Sequence, residues 1–336
     1  MTPKLHVIDT VEGVERLIDY LQDKEFCSYD CETTGLLQTS EVIGFSVCAD
    51  ESEAFYVILS QWNKDTQSLD KLPTHTVAKR CIEALVPKKL IAHNSIFDAM
   101  MAECYFKVRI IDSIHTDTLI LAHLLNENRR NGLKELAKEY FGADSTKEAE
   151  EMKASVLANG GQLTKDNFEM YKADSYLMAK YGAQDAFLTL KLFNTLVPEL
   201  FDQGLDKFFY EDESMPLLRG PTYELNTTGL RVDVQALQTL KQTLKIECAE
   251  AQAFIYQEID SKIKTKYPST NAKNRFNIGS SSQMAWLLFG QMGLEFGTLT
   301  KEGKNVAKFL IGRLPYAPKA KRDFRSEEHT SELQSH

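Results

Sequence analysis

At 336 residues, with 43% hydrophobic and 10% aromatic side chains, the chain can fill about two domains, which excludes the disordered and fibrous classes. A formal net charge of -9 excludes a protein whose whole surface coats nucleic acid, but not a polymer-binding cleft whose acidic ligands enter that total. Cys27, Cys31, Cys48, Cys81, Cys104 and Cys248 include no Cys-x-x-Cys pair and no cluster with histidine, so they read as small buried hydrophobes of a reducing compartment rather than a zinc site or disulfide framework.

Thr10 is a helix-start signal, and Val11, Val14, Leu17, Ile18 and Leu21 follow at helical spacing, predicting a helix over 10–21. A strand over 25–31 comes next. Residues 42–48 and 54–59 read as a hairpin around Asp50-Glu51-Ser52, so the first three strands form an antiparallel meander. Residues 61–73 are polar and predict a surface loop, and 74–86 predict a helix with an inner stripe of Val77, Cys81, Ile82 and Leu85. Leu90-Ile91-Ala92 predicts a short strand leading to a helix over 95–105, and a strand over 109–112 precedes a helix over 117–125. Residues 132–142 predict a short amphipathic helix closed by glycine. Residues 143–164, with Asn159-Gly160-Gly161, predict a flexible loop, and 174–199 a long helix. The alternation of strand and helix predicts an α/β fold with a mixed sheet covered on both faces.

A second, mostly helical region begins near residue 205. A glycine turn at Gly229 precedes a long helix over 234–264. Lys262, Lys264, Lys266, Lys273 and Arg275 form an acid-free run that suits a phosphate backbone, although loops carry lysines for solubility more often. Residues 277–283 read as a turn capping a helix through Phe289. No signal peptide and no run of about 18 apolar residues is present, which points to the cytoplasm of a bacterium or of a phage host.

The chemistry concentrates in Asp30-Cys31-Glu32-Thr33. Side chains alternate along a strand, so Asp30 and Glu32 point the same way, and two such carboxylates repel unless a hard cation such as Mg²⁺ or Mn²⁺ is shared. The competing reading makes them ordinary residues before a Thr33-Thr34-Gly35 turn. Asn94 and Asp98, and likewise Tyr181 and Asp185, are four apart and share a helix face. Neither pair informs alone; three elements converging on one centre do.

In order, Asp30-x-Glu32-Thr33, Asn94-x-x-x-Asp98 and Tyr181-x-x-x-Asp185 resemble the 3′-5′ proofreading exonuclease domain of bacterial and phage family A DNA polymerases, the kind with four acids and a tyrosine. His115-Thr116-Asp117-Thr118 and the segment 131–137 resemble the same family between its second and third motifs. The resemblance implies a ribonuclease H-like mixed sheet with flanking helices. Two Mg²⁺ or Mn²⁺ ions would be held by Asp30, Glu32, Asp98 and Asp185, one to activate water and one to stabilise the leaving 3′-oxygen. Tyr181 would orient the water, the substrate would be a single-stranded DNA 3′ end, and the product a nucleoside 5′-monophosphate. Thr33, Leu36, Asn94 and Phe97 are the candidates for holding that end, Phe97 being weighed toward core packing.

Thr228-Gly229-Leu230-Arg231-Val232-Asp233, and Phe276 to Gln283 followed by Leu287-Leu288-Phe289, resemble the start of the family's polymerase domain and part of its thumb. The expected division is therefore 1–204 exonuclease, 205–324 partial polymerase domain and 325–336 a tail resembling translated sequencing adapter; without that tail the charge becomes -7. The family's palm carboxylates are missing, so no DNA synthesis is expected and primer-template DNA would be a partner of the parent enzyme. A processivity factor is left open as a further partner. Alternatives are a stand-alone RNA-processing exonuclease and an inactive nuclease-fold scaffold; the polymerase-like segments oppose the first and the intact acids the second.

Overall fold

The computed structural model describes residues 3–142, 147–164, 168–262 and 276–293. The Thr10 hydroxyl accepts from the Gly13 N–H and starts helix α1, Val11–Leu21, which buries Val14, Leu17 and Leu21. Before it runs β1, Lys4–Ile8, a short strand whose Lys4 and His6 interrupt the apolar pattern and hide it from a sequence reading. The meander follows as β2 (Phe26–Thr33), β3 (Val42–Asp50) and β4 (Glu53–Ile58), each antiparallel to the next.

Residues 61–73 are not a simple loop. They carry most of a hairpin, β5 (Ser60–Asn63) and β6 (Ser68–Lys71), whose turn is built by the Asn63 carboxamide oxygen accepting from the N–H groups of Asp65 and Thr66. Its largely exposed surface explains a polarity that conceals strand structure. The helix expected over 74–86 is a 3₁₀ turn, Pro73–Thr76, followed by α2, Ala78–Leu85, which buries Cys81, Ile82 and Leu85.

Strand β7, Lys89–Ala92, leads to α3, Ser95–Met101, whose last turn widens into a π-helical turn over Ala102–Phe106. The strand expected over 109–112 lies further on, as β8, Ile114–Asp117. Register sets it there: Ile91 pairs with Thr116 and Ala92 with Asp117, while Ile111–Ser113 makes a 3₁₀ turn. Helices α4 (Thr118–Leu125) and α5 (Leu133–Phe141) come next. The expected flexible loop 143–164 contains a third, α6 (Lys147–Ala158), burying Ala149, Met152 and Val156. The long helix α7 spans Ser175–Asp202, with the Asp174 carboxylate accepting from the N–H groups of Tyr176 and Leu177.

Sheet order is β1-β4-β3-β2-β7-β8. Strands β4, β3 and β2 are antiparallel, β7 and β8 run parallel to β2, and β1 is parallel to β4, which makes this the mixed ribonuclease H-like sheet. Alternation along β2 sends Cys27, Tyr29 and Cys31 into a core with Leu17, Ile82 and Leu85. On the other face the Ser28 hydroxyl donates to the Ala186 carbonyl of α7, 2.7 Å away. Asp30 and Glu32 share that second face.

The first compact unit reaches Arg231, beyond the boundary read at 204/205. Its last helices are α8 (Ser214–Leu217) and α9 (Tyr223–Thr228); Tyr223 is fully buried and donates to the Glu103 carboxylate at 2.6 Å. The second unit contains α10, Val234–Lys262, and α11, Ser281–Ala285, continued by a π-helical turn Trp286–Gln291; Ile259, Trp286 and Leu287 form its small core. The lysine run from Lys264 to Arg275 and the tail 325–336 lie outside the described residues. Among the described residues no helix is long and apolar enough to cross a membrane. Four cysteines are buried, Cys104 is half-buried and Cys248 is exposed, all as free thiols.

Candidate metal centre

Strand β2 outruns its parallel neighbour, since β7 pairs only with Phe26, Cys27 and Ser28. The end of β2 therefore projects a free edge, and there Asp30 and Glu32 meet α7. One carboxylate oxygen from each of Asp30, Glu32 and Asp185 lies within 4.8 Å of the others. Glu32 and Asp185 are 8% and 5% exposed, and Asp30 is half-buried, so the group sits largely out of water.

Asp98 is not in that set of three. It is 4% exposed, and its Oδ1 accepts from the Cys31 N–H at 2.9 Å, between the two acids of β2. Its helix is aimed by a residue the motif reading left without a role. At the end of β8, Asp117 Oδ1 accepts from the Asn94, Leu119 and Ile120 N–H groups, and Oδ2 from the N–H and hydroxyl of Ser95. One buried carboxylate thus caps α3 and α4 together, while Asn94 turns into α3 with φ of 67°.

Burial dominates the electrostatics. It pushes the Asp30 carboxyl up to about 7, and drives Glu32 and Asp98 well above the usual carboxylate range, with the Asp30 charge adding to both. Burial, with the Glu32 and Asp30 charges behind it, likewise raises Tyr181 well above the ordinary phenol range. Among the described residues a countercharge is supplied by Lys134, in the first turn of α5. It pairs with Asp185, its ammonium lies 4.5 Å from the centre of the Tyr181 ring, and burial lowers it to about 8. Lys134 lies in the segment 131–137 that resembles the family, but that segment gave it no role; a cation in the first turn of a helix, against the helix dipole, was the further signal.

The remaining candidates occupy varied surroundings. Thr33 spends its hydroxyl on the Gly35 carbonyl at 2.7 Å, shaping the turn after β2. Leu36 is 82% exposed beyond that turn, next to Leu37 at 72%. Phe97 is half-buried and packs against the main core, the bland reading it was given. Tyr56 of β4 was not anticipated. Its buried ring is clasped by Gly44 and Gly182, beside Glu32, because a Cβ at either glycine would strike it.

The donor set fits a divalent ion: three oxygen ligands converge, two of them buried and one half-buried, and burial disfavours the charges of Asp30 and Glu32 until a cation supplies the balance. A carboxylate cluster at the end of the central strand of a ribonuclease H-like sheet defines a metal-dependent nuclease. Residues 5–201 match the family model described as 3′-5′ exonuclease, and the chain belongs to that family. It is accordingly a 3′-5′ exonuclease acting on nucleic acid through this cluster.

The chain is 28% identical to DNA polymerase I of Rhizobium leguminosarum over 298 residues, covering 82% of this chain and 26% of the relative. It is 28% identical over 232 residues to DNA polymerase DpoZ of Vibrio phage phiVC8, covering 64% and 34%. The chain thus spans about a quarter to a third of the length of these curated relatives. Among solved structures it is similar in fold to the POL domain of Pol1 from M. smegmatis in complex with DNA primer-template and dNTP, with a TM-score of 0.55 and 14% identity, over 91% of this chain and 45% of that one.

Proposed function

We propose that the chain trims the 3′ end of single-stranded DNA, releasing nucleoside 5′-monophosphates, as the proofreading part of a family A DNA polymerase at work in the cytoplasm of a bacterium or of a phage host. The observation that carries this is the convergence of Asp30, Glu32 and Asp185, with Asp98 fastened to the backbone between the first two. The DNA assignment is supported by relatives named as DNA polymerases and by the neighbour bound to primer-template.

Asp30, Glu32 and Asp185 would hold two Mg²⁺ or Mn²⁺ ions together with Asp98, whose second oxygen is left to offer once the first is on Cys31. When bound, such ions supply Lewis-acid stabilisation of charge on the attacking water and on the departing 3′-oxygen. The residues do the rest. Tyr181 lies one helical turn before Asp185 and orients the attacking water through its hydroxyl; its raised pKa makes it a hydrogen-bonding group rather than a base. Leu36 would wedge against the last bases, in line with its exposure, and Thr33, Asn94 and Phe97 shape the ground on which they rest. In this reading 1–204 is the exonuclease and 205–324 the beginning of a polymerase domain that does not by itself synthesise DNA.

The test uses the full chain on matched single-stranded DNA and RNA oligonucleotides labelled at the 5′ end, with Mg²⁺, Mn²⁺ or EDTA. Stepwise shortening from the 3′ end that needs the ion and favours DNA is expected. Equal rates for wild type and Asp30→Ala would remove the catalytic assignment, and a preference for RNA would remove the proofreading one.

A further inference from the structure

Lys134 is placed at a cost. It is the second residue of α5, where the helix dipole disfavours a cation, and its side chain is only 29% exposed. Leu136 and Ala137 anchor α5 in the protein interior, and the lysine reaches from there to α7, where it meets two residues one turn apart: the carboxylate of Asp185 and the ring face of Tyr181. Its field is also felt at Asp30 and Glu32. Its ammonium nitrogen is therefore buried at the charged centre, and the exposed part of the side chain is its stem.

Asp185 has two claimants. A divalent ion held by the acidic cluster competes with the lysine for that carboxylate, and an ammonium stripped of its partner against an aromatic ring needs another anion. A strand end brings one, because each nucleotide carries a negatively charged phosphodiester to the cluster. From this juxtaposition we infer that Lys134 is a substrate-contacting residue of the exonuclease, which exchanges Asp185 for a non-bridging phosphate oxygen of the terminal nucleotides. The inference rests on the nuclease reading above and names the group that neutralises the strand.

The experiment compares wild type with Lys134→Met, which keeps the stem and loses the charge, and Lys134→Arg, which keeps the charge; Lys134→Gln is run beside them in case Met folds poorly. Calorimetry with Mn²⁺ alone should show Lys134→Met binding at least as tightly as wild type, since a competitor for Asp185 is gone. At saturating Mn²⁺ its KM for single-stranded DNA should rise about tenfold, as for loss of a phosphate contact. The slope of log KM against log salt concentration should fall by about 0.7, the value for one lost contact to a single strand. Lys134→Arg should recover most of the affinity. Wild-type KM and salt slope in both uncharged variants overturn the proposal, as does a loss of Mn²⁺ binding that accounts for the lost activity, because the lysine then organises α7 and not the strand. A wild type that releases no nucleotide with Mn²⁺ defeats the nuclease reading itself, a result distinct from either.

Discussion

Removing the charge of Asp30 should separate stability from activity. Burial raises this carboxyl from its ordinary 3.8 to about 7. A carboxyl whose folded pKa lies above its unfolded one binds its proton more tightly in the native state. The stability this carboxyl contributes without metal is then fully present below pH about 4 and is lost as the pH rises through about 7. A rise of about 3 pKa units corresponds to ~4 kcal/mol at about 1.36 kcal/mol each. Asp30 remains half-exposed to solvent screening and titrates together with Glu32, so we expect ~2–4 kcal/mol at pH 8.

Asp30→Asn carries no such burden. In EDTA the variant should resist urea better than wild type by that amount at pH 8, with the gap narrowing steadily as the pH falls toward 4. Saturating Mg²⁺ should raise wild-type stability at pH 8, since an ion that binds only the native state stabilises it, and should do much less for the variant. Nuclease activity should be lost in the variant throughout. A variant no more stable than wild type at pH 8 without metal, or a gap independent of pH, would refute the claim that burial disfavours the charge of Asp30 until a cation balances it.

Tyr181→Phe should slow nucleotide release by about 100-fold, the scale of losing a positioning contact, while Mn²⁺ binding measured by calorimetry stays at the wild-type value; weaker Mn²⁺ binding would contradict an orienting role. Gly182→Ala should cost ~1–3 kcal/mol in chemical denaturation, because its Cβ would stand 2.5 Å from Cε2 of the buried Tyr56 ring, and an unchanged midpoint would mean that the ring is free to move. Asp117→Ala strips an acceptor from five donors at two helix starts and should cost ~3 kcal/mol or more; Asp117→Asn, which keeps one oxygen, should fall between, and a cost below ~1 kcal/mol would show that water replaces the carboxylate.

What was legible in the residues was local. The two-residue period of β2 put Asp30 and Glu32 on one face, and the four-residue spacing put Tyr181 and Asp185 on one side of α7; both follow from backbone geometry alone. Elements without an apolar pattern escaped: the exposed β5–β6 hairpin is polar, and α6 has a weak stripe of Ala149, Met152 and Val156. Lys134 and Asp117 escaped for another reason, since nothing around them in the chain announces a partner 51 residues away in one case and 22 in the other.

Asp98 shows how the local and the distant parts join. As one of four similar acids it looks like another ligand, yet the structure gives it a second task. Because β7 stops pairing at Ser28, the Cys31 N–H has no strand to bond to, and Asp98 supplies the acceptor. The backbone between Asp30 and Glu32 is therefore held from α3, and the start of α3 is held in turn by Asp117 at the end of β8. The spacing of the two acids thus depends on a relay of carboxylates that cross from β8 to α3 to β2, each satisfying backbone donors that the sheet leaves free. Substituting Asp98 removes a carboxylate from beside the cluster and a splint from its strand at once, so a loss of activity in Asp98→Ala would report the lost splint as well as any lost metal ligand.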